Sequence, residues 1–454
     1  MDRRDVVVAG VYMNVAQAPL QQDERLISLD VMRGVALFGI LLMNITSFGM
    51  PFAYSVPHIY GGATGADLWA WIATSMLFEG TQRGLFSILF GAGVLLLTER
   101  IDARGGDSSQ VFFRRNLWLI VFGIVHGYLL LWTGEILFFY GATAPFVYAF
   151  RKATPRTLIA FALGGLLVGA AWNELDAYNA IKKHTAYQEA RAAQATGARL
   201  TREQTKALKA WPELVDDMNP SQDKIRETLE SMRGSYTKVV AFQAPMVAHY
   251  ESWFQYRYFF DVWSLMLIGM ALYKLGLLHL GHPRGAYAWM IVIGYGIGLT
   301  VNFFELRHLL TYKFHTLARV QAEVTYDLGR LPMTAGHVGV LMLFCNAGIL
   351  GWLQRGLAAV GQMALSNYVS HSIICMLVFR SFGFGLYGHL SRHQLYYVVF
   401  AIWAVQLVVS PIWLTQYRFG PLEWLWRSLT YGERQPMRRV APAGDDAPLI
   451  APAG

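Results

Sequence analysis

The chain has 454 residues, of which 54% are hydrophobic and only 15% are charged, and its formal net charge is +8. Soluble domains carry about a quarter charged residues, so this composition excludes a soluble globular protein. The basic residues stand between apolar runs and form no contiguous basic patch, which also argues against a nucleic-acid partner.

Ten apolar segments are long enough to cross a bilayer at 1.5 Å per residue. The sequence therefore predicts an all-α, polytopic membrane protein with about ten transmembrane helices and an extracytoplasmic helical insertion. The second span is interrupted at Glu79–Gly84, where two glycines weaken the helix. In chain order the predicted spans are 33–49, 67–98, 116–132, 135–150, 157–173, 258–278, 285–304, 333–354, 357–379 and 395–416.

Lysine and arginine set the orientation of these spans. With this arrangement one set of short loops and termini holds 19 Lys and Arg residues and the other set holds six. The positive-inside rule then puts both termini in the cytoplasm. The predicted regions are a cytoplasmic segment 1–32, spans 33–173, a periplasmic insertion 174–257, spans 258–416, and a cytoplasmic interfacial helix and tail 417–454.

The insertion is rich in Ala, Gln, Lys and Glu, a composition that favours helix over strand. We expect a helical cap over the outer face of the protein. Pro212, Pro220 and Pro245 should break this cap into pieces, because proline lacks the backbone donor that a helix interior needs.

The first span begins with two opposite charges and contains an amide. Asp30 and Arg33 lie one turn apart at its inner end, and Asn44 lies toward its outer half. A charge at a helix centre costs roughly 2.5–3.5 kcal/mol on insertion scales, so a charge persists where something uses it. Asp30 and Arg33 either form a local ion pair or hold a cofactor phosphate at the cytoplasmic mouth. Asn44 is a candidate donor to a developing oxyanion.

The next three spans carry further ionisable groups. Glu79 and Arg83 stand one turn apart at the interrupted helix, where exposed backbone would line a cavity; we assign Glu79 to a substrate cavity and Arg83 to cofactor binding. His126 lies inside the third span, and Glu135 opens the fourth only nine residues later. A hairpin would bring this carboxylate to the imidazole, as a general base requires. A satisfied core histidine is the alternative.

The ninth span carries a polar run that we assign to the substrate cavity. The alternative is that these groups tie helices together, at about 0.6 kcal/mol each. No His-Glu-x-x-His, Gly-x-Ser-x-Gly, P-loop or Gly-x-Gly-x-x-Gly pattern is present, so the sequence predicts no metal site. The polar run consists of Ser366, Asn367, Tyr368 and His371.

Three passages resemble the YeiB family, which comprises bacterial multi-span inner-membrane proteins. They are RLISLDVMRG at 25–34, running on to Asn44, LFSILFGAG at 85–93, and GPLEWLWR at 420–427. His126 and the segment 132–137 also fit the family's pattern, in which Asp is more usual than Glu at position 135. The resemblance spans nearly the whole chain.

The passage 30–34 with Asn44 also resembles heparan-alpha-glucosaminide N-acetyltransferase and the wider transmembrane acyltransferase superfamily. That enzyme moves an acetyl group from cytoplasmic acetyl-CoA to a sugar amine across the membrane, using a histidine in the outer loop after its first helix. The resemblance therefore implies acyl-CoA or acetyl-CoA as co-substrate. It points to His58, 14 residues past Asn44, as the catalytic histidine.

These expectations combine into a membrane acyltransferase that moves an acyl group from a cytoplasmic acyl-CoA to an extracytoplasmic lipid or glycan acceptor. His126, or else His58, would remove the acceptor proton, with Glu135 orienting His126. The rival is a transporter or lipid-handling protein whose buried charges form a substrate or proton path. A scaffold presenting the 174–257 insertion is a third reading. Membrane lipids are expected partners, and a homodimer is left open.

Overall fold

The computed structural model describes residues 6–8, 11–13, 26–52 and 56–439. These residues are predominantly helical, which confirms the all-α fold class. Two short strands, β1 (Val6–Val8) and β2 (Val11–Met13), pair antiparallel with Val6 opposite Met13.

Eighteen α-helices follow in the described ranges. A single π-helical turn, Tyr250–Phe254, joins α9 to α10. The helices are α1 (Ile27–Gly49), α2 (Gly65–Leu77), α3 (Thr81–Ala103), α4 (Ser108–Tyr128), α5 (Leu137–Tyr148), α6 (Pro155–Ala195), α7 (Arg202–Met218), α8 (Gln222–Met232), α9 (Tyr236–His249), α10 (Gln255–Arg257), α11 (Phe259–Lys274), α12 (Arg284–Thr311), α13 (Thr316–Glu323), α14 (Tyr326–Ala347), α15 (Gly351–Gln362), α16 (Ala364–Phe379), α17 (Arg392–Gln416) and α18 (Pro421–Tyr431).

Helix α1 lies at the centre of the bundle, in contact with α3, α14, α15, α16 and α17. Most of its residues are buried. By contrast, α6 and α12 turn large apolar side chains outward, among them Leu167 and Trp289, which are 70% and 66% exposed. Apolar side chains on the outer surface are what a hydrocarbon environment requires, so α6 and α12 belong to the lipid-facing layer.

Six of the described helical stretches are long and apolar enough to cross a membrane, or seven if the bent pair α15–α16 is one span. The chain is therefore a multi-pass membrane protein. Each of the ten predicted segments contains a helix, but α5 and α11 have only 12 and 16 residues, fewer than a straight crossing needs. The count of ten and the orientation stay predictions.

The second span is interrupted as expected. Helix α2 ends at Leu77 and α3 begins at Thr81, while Gly80 adopts the left-handed backbone with φ +69°. The predicted ninth span, 357–379, is not straight. Its residues belong to α15 and α16, which meet near Met363 at an angle of 82°.

The insertion 174–257 comprises the end of α6 and helices α7 to α10. Of its three prolines, only Pro220 falls between helices, so the expectation that Pro212 and Pro245 break the cap is wrong. Each lies inside a helix whose neighbouring apolar side chains are buried, namely Trp211 in α7 and Val247 in α9. This packing holds the helix together despite the lost backbone hydrogen bond.

Candidate functional site

A cavity of about 250 Å³ runs through the bundle, with walls from α1, α3, α4, α5, the α15–α16 bend and α18. At one end it is lined by partly exposed arginines. At the other it is closed by Tyr140 and Tyr368, which are both buried. The cavity thus has a polar mouth and a buried aromatic inner end.

Four arginines line the cavity, namely Arg33, Arg100, Arg115 and Arg427. Arg33 pairs with Asp30 at 2.7 Å, so the predicted ion pair forms and also lies at the mouth. The Arg115 guanidinium lies over the Trp426 ring, 3.7 Å from its centroid. Guanidinium groups bind phosphate oxygens in pairs, and the mouth therefore has the chemistry of a phosphate site.

Only one of these four arginines was predicted as a site residue. The other three lie at the inner ends of predicted spans or in the C-terminal passage GPLEWLWR. All three lie at the predicted cytoplasmic boundary of the membrane. This shared position is the sequence signal that could have identified them.

Helix α18 is fastened to the first turn of α16 by the Glu423 carboxylate. Glu423 accepts hydrogen bonds from the backbone N–H groups of Leu365 at 2.6 Å and Ser366 at 3.0 Å, and from the Ser366 hydroxyl at 2.5 Å. The carboxylate satisfies donors that a helix start leaves unpaired. Ser366 therefore positions α18, and Pro421 occupies the first turn of that helix as its sequence predicts.

Deep in the bundle, His126 connects a carboxylate and a hydroxyl. Its Nδ1 lies 3.2 Å from Glu135 Oε1, and its Nε2 lies 2.7 Å from the Ser372 hydroxyl oxygen. The hairpin contact between His126 and Glu135 is confirmed. All three side chains are buried, with His126 and Ser372 each 1% exposed.

The turn before α5 holds the Glu135 carboxylate in place. Its two oxygens accept the backbone N–H groups of Leu137 at 2.6 Å and Phe138 at 2.7 Å. Gly123 of α4 leaves room for this turn, because a Cβ there would lie 2.7 Å from Glu135 Oε2. The carboxylate is thus held in place by the backbone, independently of its contact with the imidazole.

Tyr368 stands between the cavity and the Glu135–His126–Ser372 series. It lines the cavity, and its ring centroid is 4.9 Å from that of His126. Ser372 follows Tyr368 by one turn of α16. His126 lies two turns beyond Leu119, the last residue of α4 that lines the cavity. Tyr368 therefore separates the cavity from the buried imidazole.

A second polar network lies away from the cavity. Arg83 is 3.2 Å from Asp261, and Arg330 donates to both Asp261 and Asp327. Neither Glu79 nor Arg83 lines this cavity, and Arg83 pairs with Asp261. Their assignment to a substrate cavity and to cofactor binding stays a prediction.

The helix break has a different use from the one expected. The Arg330 and Tyr326 side chains occupy the space that a Cβ at Gly80 would need. The break therefore admits two side chains of α14 and does not line the cavity with backbone. Asp261 and Arg330 were not predicted as site residues, because each lies at the end of an apolar run, where charged residues are common.

Two further candidates lie apart from the cavity. Asn44 is half-buried on α1 and does not line it. His58 is exposed in the loop before α2, with its ring 5.4 Å from that of Phe314. Partial burial, and then the nearby Arg319 guanidinium, lower the pKa of His58.

Half of the polar run in α16 faces α17. The Asn367 amide donates to the Ser410 hydroxyl at 3.1 Å, and His371 Nε2 lies 2.9 Å from Gln406 Oε1. These contacts match the alternative in which the polar groups tie helices together. Tyr368 alone of the run lines the cavity, with Ser366 bonded to the cavity residue Glu423.

The comparisons with known proteins bear on this architecture. The family described as "Protein of unknown function (DUF418)" matches residues 272–433. The uncharacterized protein YxaH of Bacillus subtilis (strain 168) is 28% identical over 93% of this chain and 98% of its own length. YeiB of Escherichia coli (strain K12) is 29% identical over 90% of this chain and 96% of its own. These similarities extend over nearly the whole chain and support its assignment to the YeiB family.

This assignment confirms the resemblance drawn from the three sequence passages. The matched region 272–433 contains Tyr368, Ser372 and Glu423, whereas His126 and Glu135 precede it. Both YeiB-family relatives are bacterial, and several apolar helices fit a multi-pass protein of the bacterial inner membrane. No solved structure matches the chain.

Proposed function

We propose that this YeiB-family chain is an acyltransferase that moves an acyl group from a cytoplasmic acyl-CoA to a hydroxyl or amine of a lipid or glycan on the outer side. One observation carries the proposal. An arginine-lined cavity ends at Tyr368, whose ring contacts the hydrogen-bonded His126.

The mouth of the cavity suits the polar end of the donor. Coenzyme A carries its phosphates at one end and its thioester at the tip of an extended arm. Arg33, Arg100, Arg115 and Arg427 would hold the phosphates. In the predicted orientation the inner ends of α1, α3 and α4 face the cytoplasm, where acyl-CoA is found.

The inner end of the cavity suits the thioester. Apolar side chains such as Leu119 and Leu137 line the path that the arm would follow. Beyond Tyr368, His126 is hydrogen-bonded to the anchored Glu135 carboxylate, which fixes the tautomer so that the imidazole lone pair is at Nε2. A general base at the end of a donor channel is the minimum that acyl transfer requires.

The transporter remains the alternative, carried by the network of Arg83, Asp261 and Arg330. Arg330 is buried, Asp261 and Arg83 are partly buried, and all three lie beside the broken helix α2–α3. They are paired with one another, as fixed structural charges are, whereas a proton path needs groups that exchange partners. The arginine-lined cavity gives the enzyme the stronger support.

The test is transfer from labelled acetyl-CoA by purified protein in lipid nanodiscs, with lipid and glycan extracts as acceptors. Arg115→Gln should weaken acetyl-CoA binding about ten- to hundredfold, since a hydrogen bond to a charged group contributes about 1.5–3 kcal/mol. Equilibrium dialysis with labelled acetyl-CoA measures this loss.

Arg114→Gln is the matched control. Arg114 is the neighbouring residue, but it donates to the Thr430 carbonyl oxygen and does not line the cavity. Its substitution should leave acetyl-CoA affinity unchanged. If the wild-type protein binds no CoA thioester, the enzyme gives way to the transporter.

A further inference from the structure

We propose that Ser372 is the nucleophile of the reaction and carries the acyl group as a covalent ester between donor and acceptor. This inference rests on the proposed acyl transfer and adds a residue that the sequence did not single out. Its basis is the order Glu135–His126–Ser372, in which a carboxylate and a hydroxyl occupy opposite nitrogens of one imidazole.

The contacts distinguish this arrangement from a simple tie between helices. In a serine nucleophile activated by histidine, the carboxylate bonds Nδ1 and the hydroxyl bonds Nε2. The structure has this same order, with distances of 3.2 Å to Glu135 and 2.7 Å to Ser372. Because Glu135 is itself held by two backbone N–H groups, the imidazole has one favoured orientation.

The neighbouring polar run behaves differently. Asn367 and His371 bond to Ser410 and Gln406 of α17, and none of these four is part of a carboxylate–imidazole pair. Ser372 alone of α16 points from the same helix face as Tyr368 toward the imidazole of α4. Its position places it next to the closed end of the cavity.

The reaction balances in two steps. In the first, the Ser372 hydroxyl gives its proton to His126 Nε2 while its oxygen attacks the thioester carbonyl carbon. The C–S bond breaks, and the leaving thiolate takes that proton from His126, so free CoA thiol and an acyl ester of Ser372 remain. In the second, the acceptor hydroxyl or amine gives its proton to His126 and attacks the ester. The C–O bond to Ser372 breaks, and Ser372 recovers its proton.

Access to the site explains why a covalent relay suits this protein. The arginine-lined cavity ends at Tyr368, one turn of α16 before Ser372, so the donor would reach Ser372 once the Tyr368 side chain moves aside. On the other side, α9 packs over the end of α4, where a Cβ at Gly127 would lie 2.8 Å from Val247 and 3.5 Å from Glu251. Donor and acceptor therefore meet opposite ends of a closed site. An acyl-serine lets them react in turn.

The experiment is to incubate the protein with labelled acetyl-CoA in the absence of acceptor, quench in acid, and map the labelled peptide by mass spectrometry. We expect an acetyl ester on Ser372. Ser372→Ala should abolish this label and lower transfer by at least about a thousandfold. Ser370→Ala is the control, since Ser370 lies on the same helix and donates to the Asn367 carbonyl oxygen. It should keep both label and transfer.

A second probe separates this proposal from the proposed function. An alkyl fluorophosphonate labels activated serines without needing CoA, and it should label Ser372 in the wild type but not in His126→Ala. If the wild type transfers the acyl group and Ser372→Ala keeps the transfer rate within about tenfold, the acyl group passes directly to the acceptor. That result overturns the role of Ser372 as nucleophile and leaves the acyltransferase proposal in place. If no CoA thioester binds yet the fluorophosphonate labels Ser372, the acyl-CoA donor is wrong and the nucleophile stands. Absence of both labels overturns the nucleophile.

A second variant serves as a control for a loss of folding in Ser372→Ala. Ser372→Cys keeps a nucleophile of similar size, so it should form an acetyl thioester that hydroxylamine removes. Acetylation of Ser372→Cys beside an unlabelled Ser372→Ala supports the proposal even if the alanine variant is less stable. A folded Ser372→Cys protein that never takes the label contradicts it.

Discussion

His126 is the residue on which the chemistry depends, because it is the only side chain that contacts Glu135, Ser372 and Tyr368 together among the described residues. Its partner Glu135 could be predicted from the sequence, since nine residues and one turn join them. Ser372 could not be predicted, because 246 residues separate it from His126 and no local pattern marks it. The contact depends on how α4 packs against α16.

Replacing His126 by alanine should lower acyl transfer by about 10²- to 10⁴-fold, the usual cost of losing a general base. The measurement is the rate of transfer from labelled acetyl-CoA, with thermal unfolding as a check on folding. His58→Ala is the comparison, since the acetyltransferase resemblance points to that residue.

His58 should prove dispensable, because it is exposed in a loop and does not line the cavity. Partial burial and the nearby Arg319 guanidinium lower its pKa, so it carries less positive charge near neutral pH than a free histidine does. An inactive His58→Ala with an active His126→Ala would transfer the role of base to the outer loop while leaving the reaction class intact.

At the scale of helices, close packing depends on small residues. A Cβ at Gly91 of α3 would overlap the Met266 carbonyl oxygen, and a Cβ at Gly269 of α11 would overlap the Ile88 carbonyl oxygen. The backbones of α3 and α11 therefore touch, as helices in membranes do where small residues face one another. This contact brings Arg83 of α3 within reach of Asp261 of α11.

Gly91→Ala should destabilise the protein by about 1–3 kcal/mol, the usual cost of overpacking, because the backbone of α11 cannot move aside as a side chain can. Gly93→Ala provides the control. It lies two residues away in the same helix with no atom near its Cβ position, so it should be neutral or slightly stabilising. Thermal unfolding in detergent measures both. Equal unfolding temperatures would mean that α3 and α11 are farther apart than described.

Helix positions could be predicted from apolar length, but helix ends and bends could not. The glycines at the interruption of α2–α3 predicted it correctly, because glycine weakens a helix wherever it stands. The 82° bend between α15 and α16 has no proline near it, and Pro212 and Pro245 lie inside continuous helices. Packing of buried neighbours such as Trp211 determines whether a helix continues or bends at these positions. Such packing cannot be inferred from the local sequence.

For the whole molecule, the orientation prediction rests on the bias of 19 against six basic residues between the two sets of loops. A single cysteine at Ala195, in a background lacking Cys345 and Cys375, should react with an impermeant thiol reagent in intact cells. A cysteine at Gln110 should be protected until the membrane is opened.

Both chosen positions are exposed, so protection reports sidedness and not burial. Gly105, in the same predicted cytoplasmic segment, is a poorer site for the cysteine than Gln110, because its backbone at φ +77° disfavours a side chain. Labelling at Gln110 with protection at Ala195 would contradict the predicted orientation. The arginine-lined mouth would then lie on the outer side of the membrane.

Helix α18, the last helix among the described residues, completes the cavity. Glu423, Trp426 and Tyr431 of α18 line its wall, and Glu423 holds the first turn of α16. A ribosome delivers the chain from its N-terminus, so every span is threaded before α18 emerges. A product released before residue 420 would be inserted but unfinished, with the mouth of its cavity missing a side. The protein therefore becomes able to hold a ligand only after residues 420–431 have been synthesised and have packed against α16.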